Sequence, residues 1–402
     1  MKQIVLVIVC FATLALCSAT DRPTPAVFSL SIENLAAARV RLDHADPALV
    51  PALVQLRAEA DKLLEQKPRS VMDKSRIPPS GDKHDYLSLA PYFWPNPATT
   101  SGLPYVRRDG ETNPESKDGT DANTFASMGD DVQTLSLAYF FTDFEPYAEK
   151  AALLVRTWFI EPATRMNPNL KYAQAVRGKN EGRGTGILDS RPIVEATDGV
   201  ALLIGSSAWK PADQKALLAW LEPYYRWMTD SKNGEDERAA KNNHGSWYDA
   251  QVVHFALVLG HKDDAHKIAV AALTRRIAAQ IEPDGRQPLE LARTKSFNYC
   301  CFNLEALAQL ARASRHVDVD LWDFASPDGR SLRKALHFIA PYADPAHNWP
   351  NQDLKIDSRD RVLPLLAEAM NHGDDPLIRD TFNRLTNDQV RNARWRLLFN
   401  VP

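Results

Sequence analysis

The chain has 402 residues, of which 44% are hydrophobic and 25% are charged, and its formal net charge is −3. This is an ordinary globular composition, and the chain is long enough to bury a large core. A pI near 6.4 without a strongly basic tract excludes nucleic acid as an expected partner. A polyanionic ligand would therefore have to be held by local arginines and not by the net field.

The first 19 residues predict a secretory signal peptide. Lys2 precedes an apolar stretch over residues 4–16, and residues 17–19 offer a small-x-small cleavage site. A lipoprotein anchored at Cys17 is the alternative. Nothing later in the sequence is apolar for long enough to span a bilayer. We therefore predict a periplasmic or secreted protein, without membrane insertion after signal removal, whose mature domain spans residues 20–402.

Two adjacent cysteines, Cys300 and Cys301, remain in the mature chain. Neighbouring cysteines rarely bridge each other, because the disulfide geometry would be strained. An exported protein without a disulfide framework fits a bacterial periplasm or bacterial secretion. The pair can be interpreted as a thiol nucleophile or as buried residues of an apolar helix, and the second interpretation is favoured.

Apolar residues at helical spacing predict helix within residues 24–70. The section that follows, about residues 78–125, is a long loop rich in prolines, aromatic rings and arginines. Its aromatic content argues against disorder. Rings stack on pyranose faces and guanidinium groups bind carboxylates, so the loop is predicted to cover a sugar-acid ligand. The alternative is a loop held down by its own aromatic residues. The candidate substrate contacts in it are Tyr92, Trp94, Arg107 and Arg108.

From residue 131 onward nearly the whole chain shows helical spacing, with turn signals between the segments. Ten or more helices joined by short loops indicate an α/α toroid or a helical solenoid. The sequence has no repeat of fixed period, which favours the toroid. We predict an all-α (α/α)n toroid, or barrel, of about six to seven helical hairpins in a single domain. The predicted helices span residues 132–141, 147–159, 192–204, 212–228, 247–259, 265–281, 300–313, 331–339, 362–370 and 377–385.

A glycine cluster at residues 182–186 interrupts the helical pattern. It lacks the preceding strand and the Lys-Ser/Thr ending of a phosphate-binding loop. We interpret it as a flexible wall of a cleft.

The segment Lys-Asn-Asn-His-Gly-Ser-Trp-Tyr at residues 241–248 leads directly into an apolar helical run at 252–259. Reactive groups at the mouth of a rigid element are typical of a functional site. A polar turn with an asparagine helix cap is the alternative. Trp247 and Tyr248 are further candidate substrate contacts.

Four residues have side chains that suit β-elimination beside a uronate carboxylate. Two lie in the 241–248 segment, Asn243 and His244, and two lie downstream, Arg293 and Tyr299. Asn243 and Arg293 are predicted to neutralise the charge that develops when the C5 proton is removed. His244 and Tyr299 can move protons. In mannuronate and glucuronate the C5 hydrogen and O4 lie on the same side, so Tyr299 alone can serve as base and then as acid. In guluronate they lie on opposite sides, and His244 could supply the base. Arg293 is expected to lower the pKa of Tyr299.

Three stretches resemble the alginate lyase superfamily of α/α-toroid polysaccharide lyases. They are residues 86–95 with 105–110 and 113–115, residues 158–174, and residues 242–248 with Arg293 and Tyr299 downstream. The resemblance covers about residues 80–310. It implies a lyase with an Asn/His/Arg/Tyr site at Asn243, His244, Arg293 and Tyr299, the 78–125 loop as a substrate lid, and Gln174 as a subsite contact.

The same resemblance implies the substrate and the cofactor requirement. The spacing from Arg293 to Tyr299 is similar to that of the glucuronan and broad-specificity branch. The expected reaction is β-elimination at C4–C5 of an anionic polysaccharide, glucuronan or alginate (polymannuronate), leaving unsaturated uronate ends. No metal or other cofactor is expected, since the family needs none and the sequence has no zinc-protease or calcium-loop pattern. His254, His261 and His266 are interpreted as helix-face residues. The oligomeric state is left open.

Two other functions remain as alternatives. A glycoside hydrolase on the same toroid would need two facing carboxylates. Its candidates are Asp130, Asp131, Asp198 and Glu290. A non-catalytic periplasmic polyuronate-binding protein would keep the aromatic and arginine loop but would have no use for His244 and Tyr299 together.

Overall fold

The computed structural model describes residues 23–356, 359–386 and 390–401. The predicted signal peptide at 1–19, with Cys17, lies outside the described residues, so it stays a prediction.

The described residues form fifteen α-helices and four short strands. The helices are α1 Ile32–Asp43, α2 Val50–Leu64, α3 Ala122–Thr142, α4 Glu145–Val155, α5 Arg191–Leu202, α6 Pro211–Asp230, α7 Lys232–Arg238, α8 Asn243–Leu259, α9 Lys262–Ala272, α10 Pro288–Leu291, α11 Ser296–Ser314, α12 Leu332–Ile339, α13 Val362–Met370, α14 Pro376–Leu385 and α15 Trp395–Leu398. The strands are β1 Leu87–Leu89, β2 Phe93–Trp94, β3 Val106–Arg107 and β4 Tyr172–Ala175.

Each helix predicted from the apolar spacing is present. The segment at 147–159 continues past α4 as a π-helical turn, Arg156–Ile160, and the segment at 265–281 continues past α9 as another, Leu273–Ala278. Proline stands at one of the first two positions of α6, which tolerate it because the first backbone N–H groups of a helix have no intrahelical partner. Local sequence signals are therefore enough to specify these helices.

The helices pack around one hydrophobic core. Helix α8 lies at its centre and contacts α5, α6, α9 and α11, while α3 packs on α2, α4 and α5. Helix α8 is buried almost all round, from Asn243 to Leu257. A helix that is covered on every side can present residues to a cleft only at its ends.

The loop section is more ordered than its sequence indicates. It contains β2 and β3, which pair antiparallel, and β1, which pairs in parallel with β4. It ends in α3, which begins at Ala122. Pairing β2 with β3 sets Phe93 opposite Arg107 and Trp94 opposite Val106, so two candidate residues, Trp94 and Arg107, are held on one small ribbon.

The two cysteines of the mature chain are free and buried on α11. Burial raises the pKa of both thiols. The interpretation as core residues is confirmed, since a buried thiol with a raised pKa is a poor nucleophile. Within the described part of the chain no helix combines the length and the apolar character that crossing a membrane requires.

Candidate active site

A cleft with a volume of ≈ 1060 Å³ lies between the loop section and the first turns of α5, α8 and α11. Its walls carry more positive than negative charge. The basic residues are Arg107, Arg183, Arg191, Arg293, Lys295 and Arg361, and the acidic ones are Asp236 and Glu237. A cleft of this charge concentrates anionic ligands. The four predicted catalytic residues, Asn243, His244, Arg293 and Tyr299, all line it.

The N-terminus of α8 delivers two of these residues. Asn242 is the N-cap, and its side-chain oxygen accepts a hydrogen bond from the backbone N–H of His244 at 3.3 Å. The capping interpretation is confirmed for Asn242, and the functional interpretation stays a prediction for its neighbours. Capping stabilises the first turn, and the first turn then holds Asn243 and His244 at the cleft.

Asn243 is held by the buried carboxyl of Glu290, which lies on α10. The backbone N–H and the side-chain amide of Asn243 donate to its two oxygens at 2.6 and 2.7 Å. Burial raises the pKa of Glu290, against the lowering effect of these bonds. The carbonyl oxygen Oδ1 of Asn243 has no partner among the described residues. One amide hydrogen of Asn243 is committed to Glu290, and the second makes no hydrogen bond within the described residues.

His244 pairs with Glu237 of α7. Its Nδ1 lies 2.7 Å from Oε1 of Glu237, whose side chain is only 2% exposed. A carboxylate only accepts, so the neutral imidazole carries its proton on Nδ1 and leaves Nε2 as an acceptor. This orientation is the one that a proton-accepting histidine needs.

Gly245 allows the first turn of α8 to pack closely. A Cβ at this position would overlap the carbonyl oxygen of Ala240 and the guanidinium of Arg276. The glycine of the Asn-His-Gly segment is therefore required by packing rather than by a turn, since it lies inside the helix.

Arg276 and Asp249 anchor the segment that leads into α8. Nε of Arg276 donates to Asp249 at 2.7 Å, and its terminal nitrogens donate to the carbonyls of Ala240 and Arg238 at 2.6 and 2.8 Å. Both side chains are almost fully buried. Arg275 adds a second guanidinium to the same carboxylate at 2.9 Å. This network fixes the backbone immediately before Asn243.

Tyr299 and Arg293 form the opposite wall. Nη2 of Arg293 donates to the Tyr299 hydroxyl at 2.6 Å, and the guanidinium carbon lies 3.6 Å from the centre of the Tyr299 ring. The Tyr299 hydroxyl donates to the Tyr92 hydroxyl at 2.9 Å. The loop section thus reaches the centre of the site through Tyr92.

Asp109 of the loop section holds Arg293 from the other side. Its two carboxylate oxygens accept from Nε and Nη2 of Arg293 at 3.0 and 2.7 Å. Burial alone would raise the pKa of Asp109, but the hydrogen bonds from Arg293 and from the Thr294 N–H hold that pKa well below its usual range. The neighbouring Gly110, with φ +78°, lies against Thr294 so closely that a Cβ would overlap its hydroxyl. Asp109 and Gly110 therefore dock the loop on the α10–α11 connection.

The pKa of Tyr299 differs from the sequence expectation. Arg293 lowers it, as predicted, but burial and the neighbouring Tyr92 hydroxyl outweigh that effect, so the pKa of Tyr299 is raised. The expectation of a net lowering is wrong, because burial of the phenol has the largest effect on its pKa. Tyr299 is a neutral phenol at neutral pH.

Gln174, which the resemblance implies is a subsite contact, lies on β4 and lines the cleft. Its backbone has a φ of +48°, which is uncommon outside glycine. The side chain bridges two partners: Nε2 donates to Asp189 at 3.0 Å, and Oε1 accepts from Arg183 at 2.9 Å. Such a conformation persists only where surrounding contacts enforce it, and it often marks a functional position.

The glycine cluster forms a wall of the cleft, as predicted, through Gly184 and its neighbours. A Cβ on Gly184 would come within 2.9 Å of Cβ of Asp236, and one on Gly186 within 2.6 Å of the Ala173 carbonyl oxygen. The glycines of this wall permit close packing against α7 and β4.

The remaining predicted substrate contacts divide into two groups. Tyr92 and Arg107 line the cleft. Trp94 and Arg108 do not; the guanidinium of Arg108 lies 5.1 Å from the Trp94 ring on the outer side of the loop.

For Trp247 and Tyr248 the prediction of direct substrate contact is wrong. Both are buried one turn deeper along α8 than the cleft-lining residues. The Tyr248 hydroxyl donates to the Met228 carbonyl at 3.0 Å, and the Trp247 ring packs on Phe302. They support the wall from behind.

Several cleft residues escaped the sequence prediction. Arg183 belongs to a glycine-rich stretch that drew attention only for its glycines, and Glu237 lies in an ordinary charged helix. Arg191, Phe302 and Arg361 belong to three separate helical regions. The signal that could have found Glu237 is its distance of seven residues from His244 across a short turn, which allows a histidine–carboxylate pair.

The four carboxylates predicted for a hydrolase, Asp130, Asp131, Asp198 and Glu290, do not line the cleft. Asp198 is buried and accepts from the backbone N–H groups of Phe28 and Ser29 at 2.9 and 2.7 Å. Glu290 is committed to Asn243, and neither residue lines the cleft. In the described part of the chain no group of histidine, cysteine and acidic side chains has the geometry to hold a metal ion.

The sequence matches the alginate lyase family model over residues 70–349. An alginate lyase from Bacteroides ovatus of known structure shares 37% sequence identity, with a TM-score of 0.89 over 94% of this chain and 100% of that chain. Alginate lyase A1-III from Sphingomonas species A1 has the same fold at 16% identity, with a TM-score of 0.54 over 89% and 97% of the two chains. A variant of A1-III in complex with a tetrasaccharide gives a TM-score of 0.56 at 16% identity, over 89% and 96% of the chains. No curated protein matches the sequence significantly. The likeness confirms the all-α toroid.

Proposed function

The chain belongs to the alginate lyase family, and from this we propose that it cleaves uronic-acid polymers by β-elimination, with Tyr299 as the group that moves the proton. The protein is a polysaccharide lyase that acts on uronate polymers. The observation that supports the proposed site best is the hydroxyl of Tyr299, which accepts a hydrogen bond from Arg293 in a cleft that Asn243 and His244 also line.

The reaction requires removal of a weakly acidic C5 proton. The electron pair of the C5–H bond moves first toward the carboxylate of the same sugar and then forms the C4–C5 double bond, as the C4–O4 bond breaks. Asn243 can donate its second amide hydrogen to that carboxylate, and Arg293 can donate from Nη1, since Asp109 occupies only its Nε and Nη2. Such donors are most effective when they are held in place before the reaction, as Glu290 and Asp109 hold these two.

The role of Tyr299 follows from its hydrogen bonds. The pKa of Tyr299 is raised, so the phenol must release its proton to solvent before it can act as a base. The hydroxyl of Tyr92 accepts a hydrogen bond from Tyr299 and orients it, but it already carries its own proton and does not take up another. Arg293 then stabilises the phenolate through the 2.6 Å contact. After taking the C5 proton, Tyr299 can return it to O4 when both lie on one side of the sugar, as in mannuronate and glucuronate.

His244 provides a second base for the opposite stereochemistry. With Glu237 on Nδ1, its Nε2 is free to accept a proton from guluronate, whose C5 hydrogen and O4 lie on opposite sides. Tyr299 would then act as the acid alone. The site can therefore serve both stereochemistries from two walls.

Replacing Glu237 by glutamine should reduce turnover on polyguluronate by about 10- to 1,000-fold and on polymannuronate by less. Glutamine can present its amide N–H to Nδ1 and so move the imidazole proton to Nε2, where it blocks base function. The measurement is kcat on the two polymers separately. Glu235→Gln, at an exposed position of the same helix, is the matched control. Equal losses on both polymers would show that Glu237 is merely structural.

The assay for the function itself distinguishes the three candidate classes. The purified mature protein is incubated with polymannuronate, polyguluronate and glucuronan, and ultraviolet absorbance and reducing ends are followed together. Unsaturated products are expected on at least one polymer. Reducing ends without absorbance would identify a hydrolase, and binding without either product would identify a carbohydrate-binding protein. The preferred polymer, including the predicted glucuronan, is read from the same panel.

The anionic substrate and the N-terminal sequence also suggest where the enzyme works. Polyuronates are large extracellular polymers, and residues 1–19 have the pattern of a secretory signal. We place the protein in the periplasm or outside the cell. Fractionation of expressing cells, with N-terminal sequencing of the mature protein, tests this location and the cleavage site.

A further inference from the structure

Arg191 differs from the other arginines of the cleft wall because, within the described residues, its guanidinium hydrogen-bonds to no side chain and forms no ion pair. It is the first residue of α5. Its guanidinium carbon lies 5.0 Å from the centre of the Trp247 ring and 5.2 Å from that of Phe302. Its Nε donates to the Leu188 carbonyl at 3.3 Å, and no carboxylate of the described residues lies within 4.0 Å of its nitrogens.

The other arginines of the wall are committed to side chains. Arg293 and Arg107 both contact Asp109. Arg183 donates to the side chain and the backbone carbonyl of Gln174. Arg191 alone among these is held by ring faces and one backbone carbonyl, which leaves its terminal nitrogens for a ligand.

The nearest carboxyl groups cannot satisfy Arg191. Glu305 receives both arms of Arg361, at 2.9 and 2.6 Å. Asp189 accepts from side chains of the loop section and β4. Burial raises the pKa of Glu195 to about 7, so this carboxyl is only partly ionised at neutral pH. A guanidinium fixed against two aromatic rings, without a carboxylate partner among the described residues, is suited to bind the carboxylate of a ligand.

The distance between Arg191 and Tyr299 indicates which sugar unit of a bound chain Arg191 would contact. Phe302, which it contacts, is three residues after Tyr299 on α11, and both line the cleft. Residues three apart on a helix lie on the same face, about one turn or ~5 Å apart along the axis. That separation is close to the length of one sugar unit in a 1,4-linked chain.

We propose that Arg191, held against the rings of Trp247 and Phe302, binds the carboxylate of the uronate unit adjacent to the one that reacts at Tyr299. This subsite rests on the proposed lyase function and adds to it a determinant of substrate length and charge. It requires a carboxylate on the neighbouring sugar, whereas the reacting sugar needs its own carboxylate for the chemistry.

The test compares wild type and Arg191→Gln on uronate oligosaccharides of increasing length. In the wild type, kcat/KM should rise steeply when the chain becomes long enough to fill the subsite. For oligosaccharides long enough to fill the subsite, kcat/KM of the variant should be about 10- to 100-fold lower than that of the wild type. This is the size expected for one charge-assisted hydrogen-bonded contact. The loss should appear in KM, with kcat on the full polymer changed by less than about 3-fold.

Two further variants make the result specific. Arg191→Lys keeps the charge but not the planar fork, so it should fall between wild type and Arg191→Gln, and it answers the question if the glutamine variant does not fold. Arg226→Gln removes an exposed arginine on α6 outside the cleft and should match wild type at every length.

The possible results distinguish a failure of the Arg191 subsite from a failure of the proposed lyase function. A uniform loss at all lengths, or no loss, in an enzyme that cleaves the polymers would overturn the subsite and leave the lyase assignment intact. A wild-type protein that cleaves none of the polyuronates would overturn the proposed function and the subsite with it.

Discussion

Replacing Tyr299 by phenylalanine should lower kcat on every cleaved polyuronate by about 100- to 10,000-fold, the usual contribution of a positioned acid–base group. The variant removes only the hydroxyl oxygen that lies between Arg293 and Tyr92. The ring, with Arg293 at 3.6 Å from its centre, has no reason to move. Both the abstraction of the C5 proton and the protonation of O4 are expected to fail.

Binding should survive in the same variant. The dissociation constant for an oligouronate, measured by calorimetry, should stay within about 10-fold of the wild-type value, because one neutral hydrogen bond is lost at most. Tyr342→Phe, at a tyrosine that packs on Trp349 outside the cleft, is the matched control and should keep full activity. If Tyr299→Phe turned over substrate within a few-fold of the wild-type rate, Tyr299 would not be the acid–base group, and His244 would be the next candidate.

Removing the carboxylate of Asp249 should lower the free energy of unfolding substantially. Asp249→Ala leaves the guanidinium of Arg276, itself 1% exposed, without its charge partner in the core. Breaking a buried ion pair from one side lowers the free energy of unfolding by about 3–5 kcal/mol. Urea denaturation measures it directly, through a lower midpoint at an unchanged slope.

The same substitution should also reduce activity in the molecules that remain folded. Arg276 holds the carbonyls of Ala240 and Arg238, directly before the residues that α8 delivers to the cleft. Asp230→Ala, at an exposed aspartate, is the matched control and should change the free energy of unfolding by less than about 0.5 kcal/mol. Wild-type stability of Asp249→Ala would contradict the view that this network organises the site.

The helices and the four central residues could be predicted from the sequence because their signals are local. Apolar spacing identifies a helix wherever it occurs. Asn243 and His244 are adjacent in the chain, and the seven residues from Arg293 to Tyr299 run from a short turn into α11. These four side chains can neutralise a carboxylate and move a proton, so their residue types alone indicate a β-elimination reaction.

Trp247 and Tyr248 show where local reasoning fails. They follow His244 so closely that the sequence groups them with it. Helix α8 runs from the cleft into the core, however, and one turn of about 5.4 Å is enough to bury them. Proximity in sequence does not measure depth below a surface.

The sequence by itself determined the all-α class, the four residues proposed for catalysis and the loop section that lines the same cleft, because residue type and spacing carry that information. Only the tertiary structure decided which charges act together. Asp109 and Arg293 are 184 residues apart, and Glu290 lies 47 residues from the Asn243 it holds. The pKa of Tyr299 depends on burial and on Tyr92, 207 residues away. Electrostatic interactions depend on distance in space and on solvent exposure, and only the packing of helices and loop sets those two quantities.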